Sequence, residues 1–145
     1  MRFNLILSSF FLFHGLSGNS PVDRTFSLKA ISSDSGLADG PSWQGWHLTV
    51  PDPKAGQVKR FIPKQDKWNT IATEKRFSAS FHHHGVTYFA DHGGGAIRSI
   101  NQSNEWKLVY QEDLAKDKHR KPNDLVVDRS GGVYFTLTGA GEVVY

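Results

Sequence analysis

The sequence repeats one pattern of short apolar clusters and turns at an interval of about 40 residues. When Asp52 is aligned with Asp91, which lies 39 positions later, Val50 falls on Phe89. A third copy follows at an offset of 46, which places Phe89 on Phe135. Such a repeat constrains the fold strongly, because each copy must form one supersecondary unit that buries its apolar surface against its neighbours.

Each copy reads as a series of short β-strands, because its clusters are rich in Val, Ile, Phe, Tyr and Trp and are separated by Gly, Pro, Asp and Asn. The strands predicted for the first copy are Gly40–Trp43, Trp46–Val50, Gln57–Ile62 and Lys67–Thr73. Those of the second copy are Ala79–His83, Val86–Ala90, Ala96–Ile100 and Trp106–Tyr110. The third copy supplies Asp124–Asp128, Val133–Leu137 and Glu142–Tyr145.

A four-stranded unit that recurs every 40–45 residues or so is typical of a β-propeller blade. We therefore predict an all-β fold in which residues 21–145 form the N-terminal part of a propeller, with about two and a half blades present. A small β-sandwich is the alternative, but it does not explain three copies in register. We expect the chain to be part of a longer protein, and to be inactive and poorly soluble alone because apolar blade faces would be exposed.

The first twenty residues have the layout of a secretory signal peptide. A short basic start, Met1–Asn4, precedes a mostly apolar run, Leu5–Leu16, and small polar residues follow up to Ser20. A membrane anchor is the alternative, but about twelve apolar residues are fewer than the roughly 20 that a spanning helix needs. We predict cleavage near Gly18 or Ser20, a secreted or periplasmic protein, and no membrane association afterwards.

The composition excludes several classes of function. The chain has 17 Lys and Arg against 14 Asp and Glu, a net charge of +3, and loss of Arg2 with the leader leaves 16 − 14 = +2. This excess is too small and too scattered for a nucleic-acid interface. The absence of cysteine excludes disulfide frameworks, zinc ribbons and thiol nucleophiles. The glycine-rich segment Asp91–Gly95 lies between two predicted strands and opens no helix, which argues against a nucleotide-binding loop.

Three segments together resemble the senescence-marker-protein, gluconolactonase and luciferin-regenerating-enzyme-like family. They are Asp39–Trp43 (DGPSW), Val86–Gly93 (VTYFADHG) and Lys121–Thr136 (KPNDLVVDRSGGVYFT). The third is the most specific, because Pro-Asn-Asp, an apolar strand, Asp, a glycine turn and Tyr-Phe-Thr follow one another in the family's order. The resemblance covers roughly residues 37–145.

The resemblance implies a six-bladed propeller with one divalent cation, often calcium, in the central tunnel. It also implies hydrolysis of sugar lactones, with a small-molecule lactone or a sugar acid as the substrate. In this family an acidic residue of the first blade and Asn and Asp residues of later blades hold the metal. We therefore expect a metal-dependent hydrolase of the gluconolactonase type. A secreted, non-catalytic propeller that binds a carbohydrate or a protein partner is the alternative, and the sequence does not specify an oligomeric state.

Two residues of this chain match the family's metal-binding positions. Asp39 stands where the family usually has Glu, one methylene longer, and Asn123 is the Asn of the Pro-Asn-Asp segment, facing metal or substrate. Asp124 is expected to hold backbone, and Leu137 replaces an Asp found in many members, so that part of the rim is altered. The other ligands and the general base would follow Tyr145, so no catalytic residue is assigned. Plain turn-capping remains the alternative role for both matched residues.

The histidines and one basic loop offer weaker candidates. His82–His84 cannot converge on one ion, because adjacent strand residues point to opposite faces, and a solvated strand end is favoured. His92 follows Asp91 at the end of a predicted inner strand and is a candidate substrate-binding residue at the pocket mouth, although a turn histidine is favoured. The loop Lys116–Lys121 could attract an acidic sugar, although a solvated connection is favoured.

Overall fold

The structure is a computed structural model that describes residues 30–33, 35–73 and 75–145. The predicted signal peptide, residues 1–20, lies outside the described residues. Ser32–Tyr145 forms a compact unit. It contains three antiparallel sheets in succession, one for each copy of the sequence repeat, and each sheet is a meander whose strands pair in chain order. The prediction of an all-β, blade-by-blade architecture is confirmed.

Each sheet is a propeller blade, numbered here in chain order. Blade 1 contains β1 (Ser42–Trp43), β2 (Leu48–Asp52), β3 (Gln57–Ile62) and β4 (Lys67–Thr73), with one 3-10 turn at Pro63–Gln65. Blade 2 contains β5 (Phe77–His83), β6 (Val86–Asp91), β7 (Ala96–Ile100) and β8 (Trp106–Gln111). Blade 3 contains β9 (Pro122–Val127), β10 (Val133–Leu137) and β11 (Glu142–Val144).

The predicted strands match the observed ones apart from shifts at their ends, which have local causes. Strand β2 begins at Leu48 and not at Trp46, because the Gln44 N–H donates to the His47 carbonyl at 2.9 Å and makes this stretch a turn. Strand β9 ends at Val127 because the Asp128 carboxylate accepts backbone N–H groups of the following turn.

Two apolar clusters join neighbouring blades face to face. Val58, Phe77 and Phe89 form a fully buried cluster between blades 1 and 2, where the rings of Phe77 and Phe89 stack with centroids 4.7 Å apart. A second cluster lies between blades 2 and 3, and its buried members are Ala79, Ala90, Ile97, Phe135 and Leu137. The blades therefore cover each other's apolar faces, as the repeat predicts.

A β-bulge in the inner strand of blade 2 allows one strand to serve both clusters. Phe77 and Ala79 are two residues apart, so a regular strand would direct both side chains to the same face. Phe77 pairs with Asp91 and Ala79 with Ala90, which leaves Ser78 as an extra residue. Because the bulge reverses the alternation, Phe77 packs toward blade 1 and Ala79 toward blade 3.

The blades have two structurally distinct ends. The strand-start end is where the inner strands β1, β5 and β9 begin, and β1 and β9 each contact β5 there. The hairpin end carries the turns that link inner strands to the second strands of the blades. One of these is the two-residue turn His84–Gly85, whose φ angles of 45° and 81° suit the twist of a tight hairpin. In the described part of the chain, no helix has the length and apolarity required to span a bilayer.

Candidate functional site

The strand-start end brings together one polar residue from the beginning of each inner strand. In blade 2 this residue is Ser78, the extra residue of the bulge in β5. In blade 3 it is Asn123, because Pro122 pairs with Leu137 and Leu125 with Phe135, so that two residues of β9 face one residue of β10. The Asp124 N–H then donates to the Thr136 hydroxyl at 3.1 Å. This bond uses the main chain of Asp124, so the backbone-holding role expected of its carboxylate stays a prediction.

In blade 1 the corresponding residue is Asp39, just before β1. Its N–H donates to the Pro51 carbonyl at 3.0 Å, so the chain already runs beside β2 at this point. Asp39 and Ser78 are separated by 78 − 39 = 39 positions, the same offset that relates blade 1 to blade 2 elsewhere. Ser78 and Asn123 correspond through strand pairing, because Ser78 follows the Phe77–Asp91 pair and Asn123 follows the Pro122–Leu137 pair. Asp39, Ser78 and Asn123 are therefore equivalent positions of three successive blades.

Hydrogen bonds from β5 hold the other two inner strands at this end. The Ser78 hydroxyl donates to the Asn123 carbonyl at 2.6 Å. Two residues further, Ser80 donates both its N–H and its hydroxyl to the Gly40 carbonyl, at 2.8 and 3.0 Å. Asp39, next to Gly40, and Asn123 thus lie at the same end of the blades and flank the same strand.

Gly40 permits this close approach. Its φ is +37°, and a Cβ atom at this position would lie 2.3 Å from the Ala79 Cα, well inside any normal contact. Only glycine combines the left-handed conformation with such an approach of two main chains. The glycine after Asp39 is therefore required for packing, whatever the role of the carboxylate.

The two predicted metal ligands present oxygen atoms of the type that hard cations prefer. Asp39 is half-buried, and its Oδ1 accepts the Gly40 N–H at 3.0 Å. Asn123 is half-buried, and the contact that fixes it, from Ser78, uses its main-chain oxygen. No group of three or more His, Cys, Asp or Glu placed to hold a metal occurs among the described residues. A calcium shell takes about six to eight oxygens, so these two side chains would supply only part of one.

His92 lies beside the start of β9. Its Nδ1 is 3.0 Å from the Pro122 carbonyl, which can only accept, so Nδ1 carries a proton, and in the neutral ring Nε2 is then an acceptor. The structure therefore brings His92 next to Asn123, at the end of the blades where the sequence resemblance predicts the site.

The altered rim position at Leu137 belongs to the core. In blades 1 and 2 the same place is occupied by Asp52 and Asp91, whose carboxylates are buried. Asp52 accepts the N–H groups of Gly36 and Ala55, among others, and its pKa is lowered because these hydrogen bonds outweigh the opposing effect of burial. Leu137 is fully buried in the apolar cluster between blades 2 and 3. In these three blades the position supports packing and turn geometry.

The other candidate residues, the histidines at 82–84 and the basic loop, make contacts within the fold. His84 is in the hairpin turn, as predicted, and the His82 ring contacts the Thr87 hydroxyl at 3.2 Å. In the basic loop, Arg120 pairs with Glu112 at 3.1 Å and with Glu142 at 2.6 Å, so part of the loop's charge is neutralised within the chain.

Ser78 is the residue that sequence reasoning missed. Its signal was available, because the blade offset of 39 leads from Asp39 directly to position 78. The bulge that brings this residue into contact with blade 3 could not be predicted from the sequence, since it depends on how two strands pair.

Comparisons with known proteins agree with this architecture. A gluconolactonase from Xanthomonas campestris is 20% identical with a TM-score of 0.63, and the match covers 73% of this chain and 36% of that one. A streptogramin B lyase is 12% identical with a TM-score of 0.60, covering 78% and 41%. A virginiamycin B lyase from Staphylococcus aureus is 14% identical with a TM-score of 0.59, covering 81% and 43%.

These identities show a shared fold and no more, and the chain spans only about two-fifths of the length of each of these structures. A search of curated proteins gave no match. The family comparison is more informative, because residues 37–143, most of the chain, match the SMP-30/Gluconolactonase/LRE-like region. The chain therefore belongs to the SMP-30/gluconolactonase/LRE-like family.

Proposed function

We propose that the full-length protein is a metal-dependent hydrolase that opens a sugar lactone, and that Asp39 and Asn123 hold its divalent cation, with calcium the best match to their oxygen ligands. The observation that carries this proposal is the equivalence of Asp39, Ser78 and Asn123 at the starts of three inner strands. A carboxylate and an amide are thereby presented from two blades that flank the same strand. Family membership supports the same reaction class.

The residues of this chain have separable roles in the proposal. Asp39 provides negative charge, and the adjoining backbone contact between Gly40 and Ser80 fixes the position of its strand. The Ser78 hydroxyl positions Asn123 through its main chain, which leaves the Asn123 amide available to metal or substrate. A bound divalent cation would polarise the lactone carbonyl and lower the pKa of bound water.

His92 is proposed to contact the substrate. Its Nδ1 proton is committed to the Pro122 carbonyl, so Nε2 remains an acceptor for a substrate hydroxyl. A general base must accept the proton of the attacking water. We place that base, and the remaining metal ligands, in parts of the protein beyond this chain.

The test is lactone hydrolysis by the full-length protein, with and without a chelator and after addition of Ca²⁺. Asn123→Ala should lower kcat/KM by about 100-fold or more, as expected for loss of a group that acts at the metal or at the reacting carbonyl. Asp39→Asn should weaken metal binding by about tenfold or more, while Asp39→Glu should retain activity. Asp66→Asn is the matched control, since Asp66 is exposed and its left-handed backbone, φ 47°, suits Asn.

Two results would overturn the proposal: full turnover by Asn123→Ala with unchanged metal affinity, or hydrolysis that a chelator does not affect. Binding of a lactone or sugar without any turnover would instead support a non-catalytic carbohydrate-binding propeller. We further propose export with removal of residues 1–20, and N-terminal sequencing of the mature protein tests it. A mature chain that still begins at Met1 would contradict export with cleavage.

A further inference from the structure

A cleft of about 490 Å³ crosses the boundary between blades 1 and 2 at the hairpin end, away from the strand-start site. Its polar lining includes residues of the β1–β2 turn (Gln44, Trp46, His47), of β3 (Arg60), of the β5–β6 hairpin (His82, Thr87) and of the β7–β8 loop (Asn101, Gln102, Asn104). Ile71 and Ile100 add apolar surface. No Asp or Glu is among the described residues that line it.

His47 is the unusual residue in this cleft. Its side chain is buried, with the residue only 2% exposed, yet neither ring nitrogen has a hydrogen-bond partner among the described residues. The Nε of Arg60 is likewise buried without a partner in the same part of the chain. Buried polar atoms are nearly always hydrogen-bonded, and leaving one unpaired costs about 1–3 kcal/mol. Three such atoms in one cleft therefore need an explanation.

The rest of the cleft is held rigidly by contacts between the two blades. The Gln44 amide donates to the hydroxyls of Thr49 and Thr87, at 2.9 and 2.8 Å, and so ties blade 1 to blade 2. The Trp46 ring meets the His47 ring edge-on at 4.1 Å, and the Arg60 guanidinium lies 5.9 Å from the Trp46 ring centre. In this arrangement both ring nitrogens of His47 and the Nε of Arg60 are buried without a hydrogen-bond partner among the described residues.

We propose that this cleft is a second ligand site, specific for a small monocarboxylate. Arg60 would supply the positive charge and its Nε–H, and neutral His47 would donate one ring N–H to the carboxylate. The exposed Trp46 ring and the two isoleucines would cover the carbon skeleton of the ligand. The site is independent of the lactone-hydrolase proposal, because it shares no residue with the strand-start end.

The charge balance favours a monoanion over a dianion such as phosphate. Burial, with smaller effects of Arg60 and His82, lowers the pKa of His47 to about 4. Burial and the neighbouring His83 also lower the pKa of His82. Both imidazoles are therefore neutral at pH 7, and Arg60 is the one formal charge among the described lining residues. A single guanidinium pairs with a carboxylate through well-matched planar geometry.

The test is calorimetric titration of the full-length protein with butyrate, with its uncharged analogue butyramide, and with inorganic phosphate. Butyrate should bind, butyramide should bind at least about tenfold more weakly, and phosphate should bind more weakly than butyrate. Arg60→Gln should reduce butyrate affinity by about tenfold or more, the loss expected for a charge-assisted hydrogen bond. Lys64→Gln, which removes one exposed cation elsewhere in blade 1, should change it by less than about twofold.

A second readout does not depend on the Arg60 variant folding normally. Saturating butyrate should raise the pKa of His47 in an NMR titration of its imidazole, with His47→Leu identifying the signal, because a bound anion favours the imidazolium. Equal binding of butyrate and butyramide, tighter binding of phosphate, or an unchanged pKa of His47 would each overturn the proposal.

Discussion

The two ends of the blades differ in whether their buried polar side chains are hydrogen-bonded. At the strand-start end, Ser78 and Ser80 donate to backbone carbonyls of the neighbouring blades, so polar atoms serve as structural links. At the hairpin end, His47 and Arg60 are buried with unpaired nitrogens. Hydrogen bonds join the blades at both ends, with the bond from Gln44 to Thr87 at the hairpin end, but the unpaired buried side-chain nitrogens among the described residues occur only at the hairpin end.

The largest loss of stability is expected from a substitution of Gly40, at the strand-start end. Gly40→Ala adds a Cβ only 2.3 Å from the Ala79 Cα and strains a φ of +37°, so we expect a loss of about 4 kcal/mol in the free energy of unfolding. Gly45→Ala, in the hairpin-end turn, is the matched control, since its φ is +80° and nothing lies within 4 Å of its Cβ. That variant should lose only about 1 kcal/mol. Urea denaturation of the full-length protein measures the free energy of unfolding of both variants. Equal losses in the two variants would refute the close approach of Gly40 to Ala79.

Replacement of Asp52 should have the next largest effect. Asp52→Leu copies blade 3, where Leu137 occupies the same place, but it deprives the N–H groups of Gly36, Leu37 and Ala55 of their acceptor. We expect a loss of about 3 kcal/mol by denaturation. Asp52→Asn keeps one acceptor oxygen, so its loss of stability should lie between zero and that of Asp52→Leu. An Asp52→Leu variant with an unchanged free energy of unfolding would mean that these turns do not need the carboxylate.

The pH dependence of stability should report on His47. Its pKa is about 4 in the folded protein against 6.5 in the unfolded chain, so the unfolded state binds more protons between these values. Stability should therefore fall as the pH is lowered from 6.5 to about 4, with no contribution from His47 above 6.5. In His47→Leu the melting temperature should depend less steeply on pH in this window. In this variant His82 still causes a smaller decrease of stability at low pH, because its pKa is also lowered. If the melting temperatures of the wild type and of His47→Leu depended equally on pH, the lowered pKa would not belong to His47.

The smallest effects should have opposite signs at the two ends. Ser80→Ala removes the hydroxyl bonds to Gly40 and Ser42 and should cost about 1 kcal/mol. His47→Leu replaces an unpaired buried imidazole by an apolar group and should be neutral or stabilising by about 1 kcal/mol at pH 7, while butyrate binding is lost. Paired denaturation curves measure both changes. Destabilisation by both variants would show that His47 is satisfied in the native protein.

Much of the fold could be predicted from the sequence because the blades repeat. The strands of blade 2 follow from short alternating clusters at a regular interval, although β5 begins at Phe77, two residues before the predicted start. Asp39 and Asn123 were predicted to lie at the starts of inner strands, and in the structure Asp39 lies just before β1 and Asn123 near the start of β9. Their chemical roles remain predictions.

The remainder depends on contacts between strands that are distant in the sequence. The bulges at Ser78 and Asn123 arise from the pairing of two strands, and no local pattern marks them. The burial of His47 depends on blade 2 closing over a turn of blade 1. Trp46 was predicted to begin a strand, yet it is 54% exposed in that turn, since an aromatic residue signals a strand whether or not a partner covers it.

The central claim is that Asp39 and Asn123 act on the same cation, and a double-mutant cycle on Ca²⁺ affinity tests it most directly. Calcium binding is measured by calorimetry for the full-length protein, for Asp39→Asn, for Asn123→Ala and for the double variant. Two ligands of one ion should be coupled, so the account predicts an interaction energy of about 1 kcal/mol or more. Additive losses, or no loss in either single variant, would contradict it.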